Sequence, residues 1–286
     1  MNATQSGYYG RPIVKPPEWT ALIPIYFWAG GWAGGSATLA LGARLAKNER
    51  AARTLIVAAA AGCAISGVCL IGDLKRPERF LNMLRVFKPS SPMSVGVFIF
   101  SLFGGASMTA AASELTGVAR PIGRFAEAVS ATTGPLMSVY TAVLIGDTVM
   151  PAWHHARRSL PALFAATSAL TAGGVGMFFT PPADAKPARR LALLGGVAVP
   201  MALERLRDEL GTFQHEAYQR GKAGRLSHLA RLLSLTGSAC TLFARRNARI
   251  ARFAGAILLA GGLAERFAVY HAGRISAEDP KFTIEH

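Results

Sequence analysis

The chain has 286 residues, a mean hydropathy of +0.30 and 51% hydrophobic residues, yet only 16% are charged, against ~25% in soluble domains. The net charge of +15 would suggest nucleic acid in a soluble protein. Here the Lys and Arg flank apolar runs, where snorkelling side chains meet anionic headgroups, and no basic stretch is interleaved with stacking aromatics, so no nucleic-acid partner is expected.

In chain order, the polar segment before Trp19 contains Gly10, Pro12, Pro16 and Pro17. It lacks the charged-then-apolar order of a cleaved signal peptide, so the first apolar segment is expected to insert and stay. Trp19–Ala43, Thr54–Gly72, Pro89–Ser113, Ala128–Gly146 and Ser159–Ala183 contain no Asp, Glu, Lys or Arg. About 20 apolar residues cross a bilayer as a helix, so the fold class is an all-α integral membrane protein. Strong spans are expected near 20–43, 54–73, 93–113, 130–152 and 159–181. Leu191–Leu203, Leu232–Ala244 and Phe253–Ala264 are shorter uncharged stretches. Extended with Arg190, Arg231 and Arg252 snorkelling at one end, they bring the count to about eight helices in a single membrane domain. The first four (20–152) would form one bundle, with an interfacial loop over 74–92. The other four would occupy 159–272, and a C-terminal tail 273–286. Prolines 135, 151 and 200 mark candidate helix breaks.

Basic residues are densest in loops 44–53, 114–129, 182–190 and 245–252. Positive loops stay inside, so both termini are expected on the outer face. The stretch DLKRPERFLNMLRVFKPSSP (73–92) reads as an amphipathic interfacial helix begun by Pro77, or a docking surface, with Arg76, Arg79, Arg85 and Lys88 as its cations. Gly30, Gly31, Gly34 and Gly35 form two overlapping G-x-x-x-G patterns, suited to close helix packing in lipid.

Depth counting at ~1.5 Å per residue brings Glu18, Trp19, Tyr26, Asp73, Tyr140 and Asp147 toward the outer half of one bundle. Such a group suits quinone chemistry: an apolar slot, phenol donors for carbonyl oxygens, and a carboxylate to exchange protons. Asp73 is equally explained as a loop cap or an ion-pair partner of Arg76 or Arg79, and Tyr26 as packing beside Phe27 and Trp28. Glu204 and Glu265 fall inside weaker spans, where a carboxylate must face protein or water. With Asp147 they suggest a proton path. Cys63, Cys69 and Cys240 form no C-x-x-C pair, and no histidine lies deep in a strong span. No metal site, haem or iron–sulfur cluster of the chain's own is expected.

The segments YYGRPIVKPPEW, IPIYFWAGGWAGGS, GDLKRPERFLNMLRVFKPSSPMS, GPLMSVYTAVLIGDTVMPAWHHARRSLP and ERFAVYHAGRISAEDPKFT resemble the membrane subunit of the NrfD / polysulfide reductase family. The resemblance implies a helical anchor in a prokaryotic cell (inner) membrane that binds menaquinone or ubiquinone among its first four spans. It also implies a ferredoxin-like iron–sulfur partner, itself joined to a molybdopterin or multihaem catalytic subunit. By position Tyr140 resembles the family tyrosine that donates to a quinone carbonyl. Asp73, with Lys75, Arg76 and Pro77, matches the family loop after the second span. Glu18 and Trp19 fall in the segment bordering the site. The rival readings are a proton-translocating subunit, a pure anchor without quinone chemistry, and a small-solute transporter.

Overall fold

The computed structural model describes residues 14–284; the first residues of the expected outer segment and the last two of the tail lie outside the described residues. Among the described residues all regular structure is helical. The long helices are α1 (Leu22–Leu45), α2 (Glu49–Gly72), α3 (Pro92–Thr116), α4 (Arg120–Gly146), α5 (Leu160–Phe179), α6 (Lys186–Gln219), α7 (Gly221–Phe243) and α8 (Ala248–Glu278). Helices α2, α3, α4, α5 and α8 are long and apolar enough to span a membrane, and the chain is a multi-pass membrane protein. Helix α1 is uncharged from its first residue to Ala43, but its glycines and tryptophans lower its hydropathy. Helices α6 and α7 carry several charges in the stretches flanking their apolar centres.

Two expected boundaries shift. Helix α4 begins at Arg120, not near 130, because Gly117 in the left-handed conformation (φ 72°) closes α3 and the chain turns at once. Glu127, expected in a loop, is therefore a buried helical residue. The C-terminal tail expected from 273 is helical through Glu278. Helices α4 and α6 run through Pro135 and Pro200; the true interruption is Gly211 (φ 62°, ψ −174°) within α6, a conformation that glycine alone adopts readily.

Helix α1 is the hub, packed against α2, α4, α5 and α8. Its glycines explain why. A Cβ on Gly34 would lie 2.3 Å from the Gly134 carbonyl oxygen of α4, and one on Gly134 would lie 2.4 Å from that of Gly34. Gly31 and Gly35 face α5 instead, where a Cβ would meet Ser168 Oγ at 2.5 Å and the Ala172 methyl at 2.7 Å. The two overlapping G-x-x-x-G rows thus serve two neighbours. With the backbones this close, Thr38 donates to the Ala131 carbonyl (3.0 Å) and Ser138 to the Gly31 carbonyl (3.1 Å). Such interhelical bonds fix register where lipid supplies no hydrophobic force.

Candidate functional site

The register set by Gly34 and Gly134 decides the geometry of the outward turns. Tyr26 lies eight residues along α1 from Gly34, and Tyr140 six along α4 from Gly134, so both reach the Asp73 end of the bundle, ~9–12 Å from the crossing. Their hydroxyls hydrogen-bond to each other. The rings meet edge to face, with centroids 6.4 Å apart and planes at 67°, and both side chains are buried. A phenol pair has two O–H groups and uses one internally, which leaves one donor free.

That pair forms one wall of a cavity of about 120 Å³ bounded by α1 to α4. Ile23, Phe27, Leu70, Val97 and Phe100 make it apolar, and Asp73 and Trp19 stand at its rim. Gly96 of α3 lies flat against Tyr140: a Cβ there would sit 2.8 Å from the ring's Cδ2. The interfacial segment is less helical than expected, a 3-10 turn at Pro77–Arg79 followed by one helical turn, Phe80–Met83. Phe80 and Met83 of this segment line the cavity.

Among the described residues Asp73 is anchored by Thr20 and makes no ion pair with Arg76. The Thr20 amide and hydroxyl donate to its Oδ1 at 2.9 and 2.6 Å, which fastens the end of α2 to the start of α1. Trp19 stacks on Trp153 (5.7 Å, 19°), and its carbonyl accepts from the Tyr270 hydroxyl, so the second half of the chain helps hold the rim. Glu18 sits outside the cavity in ion pairs with Lys15 (2.5 Å) and Lys75. Those hydrogen bonds, Lys15's first, hold its carboxyl down to about 2.

The remaining expected site residues divide. Arg76, Arg85 and Lys88 are exposed on the segment that closes the cavity, beside exposed Val86 and Phe87; the side chain of Arg79 lies outside the described residues. Asp147 caps the end of α4 and is exposed. It does not line the phenol cavity, because the helix's last turn rotates it outward. Glu204 and Glu265 share a different cavity, between α6, α7 and α8, so Asp147 is not part of their group. Glu265 is buried and paired with Arg266 (2.7 Å). Arg266 also lies 3.6 Å over the Phe164 ring and donates to the Phe164 carbonyl (3.1 Å).

Sequence reasoning missed Thr20, Gly96, Met83 and Arg266. Thr20 carried a signal, since Ser and Thr next to a helix start commonly bond locally. Gly96 carried none, because its partner Tyr140 is 44 positions away.

The structure is thus a multi-pass membrane protein with an apolar cavity and paired phenols near one end of its first four helices. The sequence model of the NrfD polysulphide reductase family matches residues 14–182, more than half the chain and every residue of the phenol cavity. The chain belongs to that family. The match stops before α6, so the second cavity lies mostly beyond it. Among curated proteins no sequence matches the chain.

Proposed function

We propose that the chain is the quinone-reactive membrane subunit of a respiratory oxidoreductase complex, passing electrons between the quinone pool and an iron–sulfur partner. The observation that carries this reading is the Tyr26–Tyr140 phenol pair on the wall of an apolar cavity with Asp73 at its rim. The cavity volume of about 120 Å³ is below the ~300 Å³ of ordinary ligand pockets. It suits a single ring, with the isoprenoid tail of menaquinone or ubiquinone running out into lipid.

Quinol oxidation releases two electrons and two protons. Tyr140 hydrogen-bonds one ring oxygen, and Tyr26 orients Tyr140 by sharing its hydroxyl. The carboxylate of Asp73 receives the two protons one after the other at the rim and passes each to water, while Thr20 keeps that carboxylate in place and the two electrons leave for the iron–sulfur partner. Phe80 and Met83 keep bulk water from the ring. Tyr140 at the wall supplies a neutral donor that needs no counter-ion in a low-dielectric site.

The partner in this reading is a ferredoxin-like iron–sulfur subunit, joined in turn to a molybdopterin or multihaem catalytic subunit. It docks on the exposed Arg76–Lys88 segment, which brings the nearest cluster over the cavity. The helices cross the prokaryotic cell membrane as eight spans with both termini outside, so quinone protons exchange with the outer face.

The test is quinol turnover by the intact complex in its own membranes. Tyr140→Phe and Asp73→Asn should each lower turnover while the subunits still co-purify. Wild-type turnover in both variants would refute the site.

A further inference from the structure

A second cavity, about 710 Å³ and larger than the phenol cavity, lies between α6, α7 and α8. Its exposed lining residues, among them Glu204, Arg207, His228, Arg231 and Leu235, belong to α6 and α7, so it opens between those two helices. The outward surface beside the opening mixes exposed apolar residues, Val197, Met201, Leu229 and Leu232, with exposed charges, Arg205, Asp208 and Arg225. That mixture suits the level where lipid headgroups meet acyl chains.

The cavity has two chemical zones. One is apolar, formed by Leu163, Val199, Leu203, Leu235 and Ala268. The other is cationic. Arg207 of α6 and Arg231 of α7 both lie within electrostatic reach of His215, and all three line the cavity. Among the described residues neither arginine has a carboxylate within ion-pair distance. Glu204 lines the space without reaching either, and Glu265 is held by Arg266. Two guanidinium groups directed at one cavity repel each other unless an anion lies between them.

Donors without partners gather in the same place. The Tyr218 hydroxyl is buried, lines the cavity and makes no hydrogen bond, and His215 Nδ1 is likewise without a partner. Tyr218 is 5% exposed. Buried polar groups are almost always satisfied, so a group left open inside a cavity marks the place of a ligand or of ordered water. The backbone has been bent to bring them there. Gly211 breaks α6, and the following turns present His215 and Tyr218 as a stacked pair, ring centroids 6.3 Å apart and planes at 14°. This segment is pinned from outside by Gln214 donating to the Phe282 carbonyl (3.0 Å), by Lys281 on Glu216 (2.6 Å) and by Arg220 on Asp279 (3.0 Å). None of these contacts uses the groups that face the cavity.

We propose that this cavity is a binding site for the phosphate group of an anionic phospholipid. Arg207 and Arg231 clamp the phosphate, Tyr218 and His215 donate to its remaining oxygens, and an acyl chain lies along Val199, Leu203 and Leu235. Guanidinium forks match phosphate geometry and make charge-assisted hydrogen bonds. The apolar zone gives the chain a place that a free phosphate ion would leave empty.

The experiment uses the purified complex, stripped of lipid in detergent and titrated with phosphatidylglycerol or phosphatidylcholine of identical acyl chains, with bound lipid counted by native mass spectrometry. The wild type should retain one phosphatidylglycerol with a preference of about tenfold over phosphatidylcholine, whose phosphate offers the same hydrogen bonds but whose choline cation is repelled by Arg207 and Arg231. The Arg207→Gln/Arg231→Gln double variant should lose that preference. Tyr218→Phe, which keeps the ring and the fold, should weaken binding by a few-fold. Equal retention of both lipids by the wild type, or an unchanged preference in both variants, would overturn the proposal. Displacement of the lipid by millimolar inorganic phosphate alone would overturn the lipid assignment and leave a soluble anion as the occupant. Quinol-analogue binding at the Tyr140 cavity serves as the control that the variants remain folded.

Discussion

The two ends of the first four helices treat polar groups in opposite ways. At one end Arg44 of α1 reaches carboxylates from three other helices: Glu49 of α2, Glu114 of α3 (3.1 Å) and Glu127 of α4 (2.7 Å). The Arg44 and Glu127 side chains are nearly buried, and each has its charge answered. At the other end the cavity is lined by a phenol pair whose hydroxyls bond to each other, and by one carboxylate held through a single oxygen. A cluster of charges fixes four helices in one arrangement at the Arg44 end. At the Asp73 end the polar contacts are fewer and stand beside a cavity, which is where the proposed quinone site falls.

The largest effect should come from breaking the closed end. Arg44→Met leaves the buried Glu127 with only Arg124, 3.6 Å away, and the half-buried Glu114 without its cation; removing one member of a buried ion pair costs about 3–5 kcal/mol. The expected outcome is a detergent-solubilised protein that aggregates at lower temperature and recovers poorly with its partners, measured by gel-filtration after heating. Next comes Gly96→Leu, which leaves the charged end intact but drives a side chain into Tyr140. A displaced reacting geometry can cost on the order of a hundredfold in rate, so turnover should collapse while melting behaviour changes little. Tyr140→Phe removes one hydrogen bond of about 1–1.5 kcal/mol and should weaken quinone binding by roughly tenfold. Asp73→Asn keeps an oxygen for Thr20 but cannot take a proton, so binding should hold while turnover falls.

The smallest effect belongs to Glu18. Its carboxyl, held down to about 2 by Lys15 and then Lys75, stays charged well below the ordinary carboxylate range of ~4.3. The contribution of its ion pairs is complete above that range and is lost only as pH falls toward 2. Glu18→Gln should therefore leave the pH profile of turnover unchanged between pH 5 and 8, which removes Glu18 from the proton chemistry and leaves it to Asp73.

Much of the fold was legible because long charge-free runs have few explanations. The uncharged run through Trp19–Ala43, the glycine rows of α1 and the resemblance at 73–92 pointed to a helical membrane protein of the family that the chain matches. Helix ends were less legible. Arg124 and Glu127 read as loop residues because their charges balance in space against Glu49 and Arg44, partners that no local pattern reveals. The same limit hid the site's neighbours. Asp73 read as a loop cap or as a partner of Arg76 or Arg79, whereas Thr20, 53 positions earlier, donates to it. Asp147 seemed to belong with Tyr140 by depth, but depth does not give the face of a helix, and its final turn exposes it. Prolines 135 and 200 looked like breaks and are not, since close-packed neighbours hold α4 and α6 together around them. Gly211, which gave no sign in the sequence, is the one that redirects its helix.

The most direct measurement is a fluorescence-quenching titration of a quinol-analogue inhibitor against the intact complex, in wild type and in Tyr140→Phe. Saturable binding near one site per complex, weakened about tenfold in the variant, is the predicted result. Saturable binding of equal strength in both would contradict the assignment of Tyr140, and the absence of any saturable site would contradict the quinone reading of the cavity.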